Sequence, residues 1–207
     1  MYRSLLTIHL DHPSSRQALS NCQDMHRNLM KAFPEADASR KEANVLYRLF
    51  TIEERPALFV LSSELPDWEK VTGISLYQNK MPLQMDVLFD KLTTGRALRF
   101  SLKTSPCKKV SGERKNSKRV FLRNAEERAA WLCRKGQQNG FEVLRLSESE
   151  TDIVHGRKET GEIFYQTVTF DGVLRITDEA RFREAFKNGI GPGKAYGLGL
   201  LMLAKTL

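Results

Sequence analysis

His26, in the segment CQDMHRNLMKAF, is the side chain of this 207-residue sequence best placed to do chemistry. Apolar residues fall at Ala18, Cys22, Met25, Leu29, Ala32 and Phe33, the spacing of an amphipathic helix that Pro34 ends. At 100° per residue His26 lies on the border of that stripe, beside Leu19 and Met30, with Arg27 and Lys31 further round. A border position packs one ring edge and leaves the other exposed. Imidazole moves protons near neutral pH, and Arg27 or Lys31 would supply charge for a developing anion. The plain alternative is a boundary histidine satisfied by a backbone carbonyl. His9 and His12 end the first strand, and His155 lies in a polar hairpin. No carboxylate or thiol cluster joins them, so no metal or cofactor is expected.

A second unusual segment is NGIGPGKAYGLGLLML, which places Gly189, Gly191, Gly193, Gly197 and Gly199 just before the final apolar run. It is not a P-loop, because Gly193-Lys194 is followed by Ala195. It is not a dinucleotide fingerprint either, because Lys194 or Tyr196 stands where the third glycine belongs. A helix cap and a tight turn would explain one or two of these glycines. Five suggest that another chain segment or a ligand approaches the backbone.

Charge is concentrated. The net charge is +8, and Lys103–Arg123 carries eight basic residues against one Glu, leaving the remaining chain close to neutral. A basic segment on a balanced body is the footprint of a polyanion, with a solvated loop as the plain alternative. Lys103, Lys108, Lys109, Arg114, Lys115, Lys118 and Arg119 are the candidate phosphate contacts, and residues 111–117 are expected to be mobile without RNA. RNA gives His26 a specific task. A 2′-OH attacks the adjacent phosphate in line, leaving a 2′,3′-cyclic phosphate and a 5′-hydroxyl, and this requires proton transfer and cations but no metal.

These groups need a scaffold. Strands are expected at Tyr2–Leu10, Asn44–Ile52, Ala57–Ser63 and Arg96–Thr104, with helices over the His26 segment and Pro82–Gly95. The second half repeats the order: KRVFL is extended, NAEERAAWLCRKGQQNG is a helix, FEVLRLSESETDIV and EIFYQTVTFDGVLRIT are strands with a bend at Asp171-Gly172, DEARFREAFKNG is a helix, and LGLLMLA is the last strand. Two βαββαβ orders give an α+β protein of two tandem ferredoxin-like domains, 1–95 and 118–207, joined by a strand and basic linker over 96–117. No apolar run reaches membrane-span length, no signal peptide is expected in MYRSLLTIHLDHP, and the three cysteines form neither a disulfide framework nor a zinc pattern. A cytoplasmic, reducing location fits.

The segments MYRSLLTI, MHRNLMKAFP, ALRFSLKTSPCK and FDGVLRITD…NGIGPGKAYGLGLL resemble the CasE family. These are the CRISPR repeat-processing endoribonucleases of the type I-E Cascade system. The resemblance implies metal-independent cleavage at the base of the repeat hairpin and retention of the product within Cascade. It implies a general acid/base at His26 and an RNA-facing loop at Gly189, Gly191, Gly193 and Lys194. The family often carries a tyrosine three residues before the histidine; Gln23 stands there instead, and an amide orients but does not shuttle protons. A non-catalytic RNA-hairpin scaffold of the same superfamily is therefore the alternative. An acylphosphatase-like metabolic protein would leave the basic segment and the loop unexplained.

Overall fold

Alternating burial along Tyr2–Ile8 (β1) turns Ser4, Leu6 and Ile8 inward. The computed structural model describes residues 1–34, 43–110, 118–149 and 151–206, with Lys118 described by its backbone alone. The expected mobile segment 111–117, with Arg114 and Lys115, lies outside the described residues. β1 pairs antiparallel with β3 (Arg55–Ser62), which pairs with β2 (Leu46–Ile52). β4 (Ile74–Leu76) and the two-residue β5 (Leu83–Gln84) take the other edge of β1.

The helix carrying His26 is two helices. α1 (Pro13–Ser20) and α2 (Cys22–Leu29) break at Asn21, which is extended at φ −142° and ψ 111°. Its backbone N–H closes α1 on Gln17 O at 3.2 Å, and its side-chain oxygen caps α2 by accepting from Gln23 N at 3.0 Å. Asparagine prefers a cap to a helix interior because its side chain competes for backbone groups. The apolar stripe survives the break. Ala18, Met25, Leu29 and Ala32 pack with Leu6, Ile8, Leu58 and Val60 of the first sheet.

Two expected elements sit elsewhere. Strand β6 (Ala97–Thr104) does not close the first sheet but joins the second, between β11 (Gly161–Ile176) and β12 (Leu201–Lys205). Its inward residues Leu98, Phe100 and Leu102 share a core with Phe141, Phe170, Leu174 and Phe182. The first unit is completed instead by β4, with a single 3-10 turn (Trp68–Lys70) where a second helix would run. Within Pro82–Gly95 only Asp86–Asp90 (α3) is helical, because Leu83 and Gln84 pair with Arg3 and Tyr2.

KRVFL does not start the second sheet. Among the described residues β8 (Lys118–Phe121) pairs with β7 (Cys107–Val110) alone, in a ribbon inserted between β6 and α4 (Ala125–Gln138). The FEVLRLSESETDIV stretch divides into β9 (Phe141–Glu148) and β10 (Asp152–Lys158), which share one side of the sixteen-residue β11. The β9–β11 register shifts between Val173 and Leu174, next to the expected bend. With α5 (Glu179–Asn188), the order β6-α4-β9-β11-α5-β12 is the second ferredoxin-like unit. Leu46 and Leu61 of the first sheet pack into its core, and Arg48 donates to Ser101 Oγ at 2.7 Å. Among the described residues no helix is long and apolar enough to cross a membrane.

Candidate active site and basic cleft

His26 is half-buried on α2, with the ring of Tyr196 edge-on to it, centroids 6.2 Å apart and planes at 77°. The Tyr196 hydroxyl donates to Gln23 Oε1 at 3.2 Å. Gln23 and His26 are one helical turn apart and so share a face. Lys158, the last residue of β10, places Nζ 5.8 Å from the Tyr196 ring centroid. A hydrogen bond with the Tyr196 phenol is the main cause that raises the Lys158 pKa. Tyr165 of β11 packs on Tyr196 at 6.0 Å, and burial pushes its own hydroxyl pKa up.

Local sequence explains the assembly. Gly193 and Gly197, both at φ +78°, bracket the 3-10 turn Lys194–Tyr196 and close it with Tyr196 N donating to Gly193 O at 2.8 Å. A Cβ on Gly197 would lie 3.0 Å from Tyr47 Cε2 in β2, so the glycine lets the loop reach the first unit. A Cβ on Gly191 would fall 2.4 Å from Thr104 Oγ1 of β6. The loop's glycines thus serve close approach to both units, as their number suggested. On the other flank, Asn21 Oδ1 accepts from Arg157 N at 3.1 Å, and Gly156 leaves room for that contact.

Of the expected helpers, Gln23 joins His26. Arg27 is exposed beside it, with Nη1 3.5 Å from Asp24 Oδ1. Lys31 is exposed in the 3-10 turn after α2. Among the described residues no group of three or more His, Cys, Asp or Glu side chains is arranged to hold a metal ion.

The basic residues divide. Lys109 and Arg119, opposite each other in the β7–β8 ribbon, line a cleft of about 510 Å³ with Trp131, Lys135 and Asn139 of the α4 region and Gly189, Ile190, Gly191, Pro192 and Lys194 of the loop. Burial is the main cause that lowers the Lys194 pKa, and the neighbouring Lys135 adds to it. Lys103 lies outside this cleft, donating to Asp152 Oδ2 at 2.7 Å. Lys108 pairs with Glu127 at 3.6 Å. Gly193 shapes the turn rather than lining the cleft. The glycine-rich loop therefore touches both places: Lys194 faces the cleft, and Tyr196, two residues on, faces His26.

Sequence reasoning missed Tyr196, Lys158, Lys135 and Asn21. Tyr196 was in view within GKAYGLG, an aromatic held between glycines, and Ser20-Asn21 carried a cap signal. Nothing local marked Lys158 or Lys135.

The fold is that of a tandem ferredoxin-like protein, and comparison with known proteins gives the family. Residues 1–205 match the family model described as "CRISPR associated protein". The chain is 31% identical over 219 residues to the CRISPR-associated endoribonuclease Cse3 of Thermus thermophilus, covering 99% of this chain and all of that protein. It is 30% identical to the Cascade subunit CasE of Escherichia coli K12, over 87% of this chain and 90% of that one. A solved structure of Cse3 bound to a 19-nucleotide RNA superposes with a TM-score of 0.85 at 29% identity, covering 99% of this chain and all of that one. The chain belongs to the CRISPR-associated protein family, and within it to the CasE family.

Proposed function

We propose that this chain is a metal-independent endoribonuclease that cuts CRISPR precursor RNA at the base of the repeat hairpin and stays on its product as a Cascade subunit in the cytoplasm. The observation that carries the reading is the position of His26, half-buried against Tyr196, over whose ring Lys158 lies, with Tyr196 in a loop that also lines the basic cleft through Lys194. In the reaction the 2′-OH loses its proton, the O2′–P bond forms, the P–O5′ bond breaks, and O5′ takes a proton. His26 is the acid/base of this exchange. Lys158, with Arg27 and Lys31 further out, offsets charge on the phosphate oxygens.

Lys109, Arg119, Lys135 and Lys194 grip the stem through its phosphates, where A-form RNA is read by shape more than by sequence. Gly189, Gly191 and Gly193 bring the backbone close to the RNA. Lys118, Arg114 and Lys115 are assigned to the same RNA from the sequence alone, while Lys103 and Lys108 contribute less because each already has a carboxylate.

Gln23 favours a second reading, a hairpin-holding scaffold without catalysis. End-labelled repeat RNA incubated with the protein in excess EDTA decides between them. One cut leaving a 2′,3′-cyclic phosphate supports the nuclease; tightly bound, intact RNA supports the scaffold.

A further inference from the structure

We propose that the Tyr196 hydroxyl is a catalytic group, the proton donor to the leaving 5′-oxygen, with Gln23 as its positioning residue. The inference rests on the nuclease reading above. A 2′-OH transesterification moves two protons, one off O2′ and one onto O5′, and a single imidazole serves both ends only if it moves between them. The site holds a second hydroxyl against that imidazole, with the Tyr196 ring edge-on to His26 at 6.2 Å.

Two contacts fix it. Gln23 Oε1 accepts the phenol proton at 3.2 Å, so the hydroxyl points at the helix face that carries His26. Lys158 sits over the same ring at 5.8 Å, with the phenol hydrogen-bonded to it, a cation for the oxygen that would become phenolate. The backbone supports the placement, since Tyr196 ends a turn bracketed by two left-handed glycines and Gly197 abuts Tyr47. In the step, His26 takes the 2′-OH proton while O2′–P forms, and P–O5′ breaks as Tyr196 O–H passes its proton to O5′. Lys158 steadies the phenolate, and the proton on His26 returns to Tyr196 through water. Gln23 holds the hydroxyl until O5′ takes over as acceptor.

The test uses Tyr196→Phe, which keeps the ring and its packing, and two repeat RNAs: the natural one, and one with sulfur replacing the bridging 5′-oxygen. Thiolate leaves without a proton. Single-turnover cleavage of natural RNA by Tyr196→Phe is expected to fall about 100-fold, within the range of general-acid effects, with the RNA Kd within twofold of wild type. On the sulfur substrate the defect is expected to shrink below threefold. Gln23→Leu should show the same pattern at about tenfold. Cleavage of natural RNA within threefold of wild type, or a defect equally large on both substrates, overturns the inference and leaves the nuclease reading intact. Wild-type protein that cuts neither RNA overturns both.

Discussion

Asn21 and Arg157, from different units of the chain, hold each other by reciprocal hydrogen bonds. Arg157 N donates to Asn21 Oδ1 at 3.1 Å, and Asn21 Nδ2 donates back to Arg157 O at 3.4 Å. The same Oδ1 caps α2 through Gln23 N. One amide therefore starts the helix that carries His26 and sets the strand that carries Lys158.

Asn21→Ala is expected to lower unfolding stability by about 1–2 kcal/mol, the scale of a missing N-cap. It should also slow cleavage more than it weakens RNA binding, because it loosens His26 from Lys158 and leaves the cleft alone. Denaturant unfolding and single-turnover rates check this. Equal losses in rate and binding would contradict it.

The basic residues are expected to be unequal. Neutralising Lys109, Arg119, Lys135 and Lys194 together should weaken binding of repeat RNA and flatten its salt dependence, by roughly 0.9 in log–log slope for each phosphate left without its cation. Neutralising Lys103 and Lys108 should change the slope little, since Asp152 and Glu127 already pair with them. Salt titrations of both sets check the ranking; equal slopes would remove the cleft from its assigned role.

Two glycines separate strain from contact. Gly95 and Gly197 both have positive φ, +86° and +78°, but a Cβ on Gly95 meets nothing within 4 Å, whereas one on Gly197 presses on Tyr47. Ala at Gly95 carries only the left-handed penalty, about 1 kcal/mol. Ala at Gly197 should destabilise more and also slow cleavage, since Tyr196 is its neighbour. Thermal melts of the two variants give the comparison.

The Lys103–Asp152 pair has a defined pH signature. The hydrogen bond from Lys103 is the main cause holding the Asp152 pKa below its ordinary 3.8. With the folded value depressed, the pair stabilises the fold above the unfolded pKa, and that contribution disappears as pH falls through the folded one. Asp152 is exposed, so the effect is small, below about 1 kcal/mol. Asp152→Asn should have a lower urea midpoint than wild type at pH 7 and the same midpoint once the pH is below the depressed value. A gap unchanged by pH would contradict the pairing.

How much of this was legible in the sequence follows from the range of each interaction. His26 showed itself because helix periodicity is local, and the basic strip because charge is simply counted. Two ferredoxin-like units were visible but not which strands complete them: the alternation of Leu98, Phe100 and Leu102 fits an inward face of either sheet, and only the tertiary core chose the second. Tyr196 stood out within GKAYGLG, but its contact with His26 did not, because glycine spacing says that a loop can turn, not where its one aromatic ring lands. Lys103 read as a phosphate contact because Asp152, its carboxylate, is remote in sequence. The helix break at Asn21 was the avoidable miss, since Ser and Asn in the middle of an apolar stripe are capping residues.

The most direct test of the central claim compares wild type with His26→Ala on end-labelled repeat RNA, in excess EDTA, measuring the single-turnover rate and Kd together. The account expects the wild type to make one cut, and His26→Ala to lose at least about 100-fold in rate while binding within about threefold of wild type. Cleavage by His26→Ala at the wild-type rate would place the chemistry elsewhere, and loss of binding in step with the rate would make His26 a binding residue.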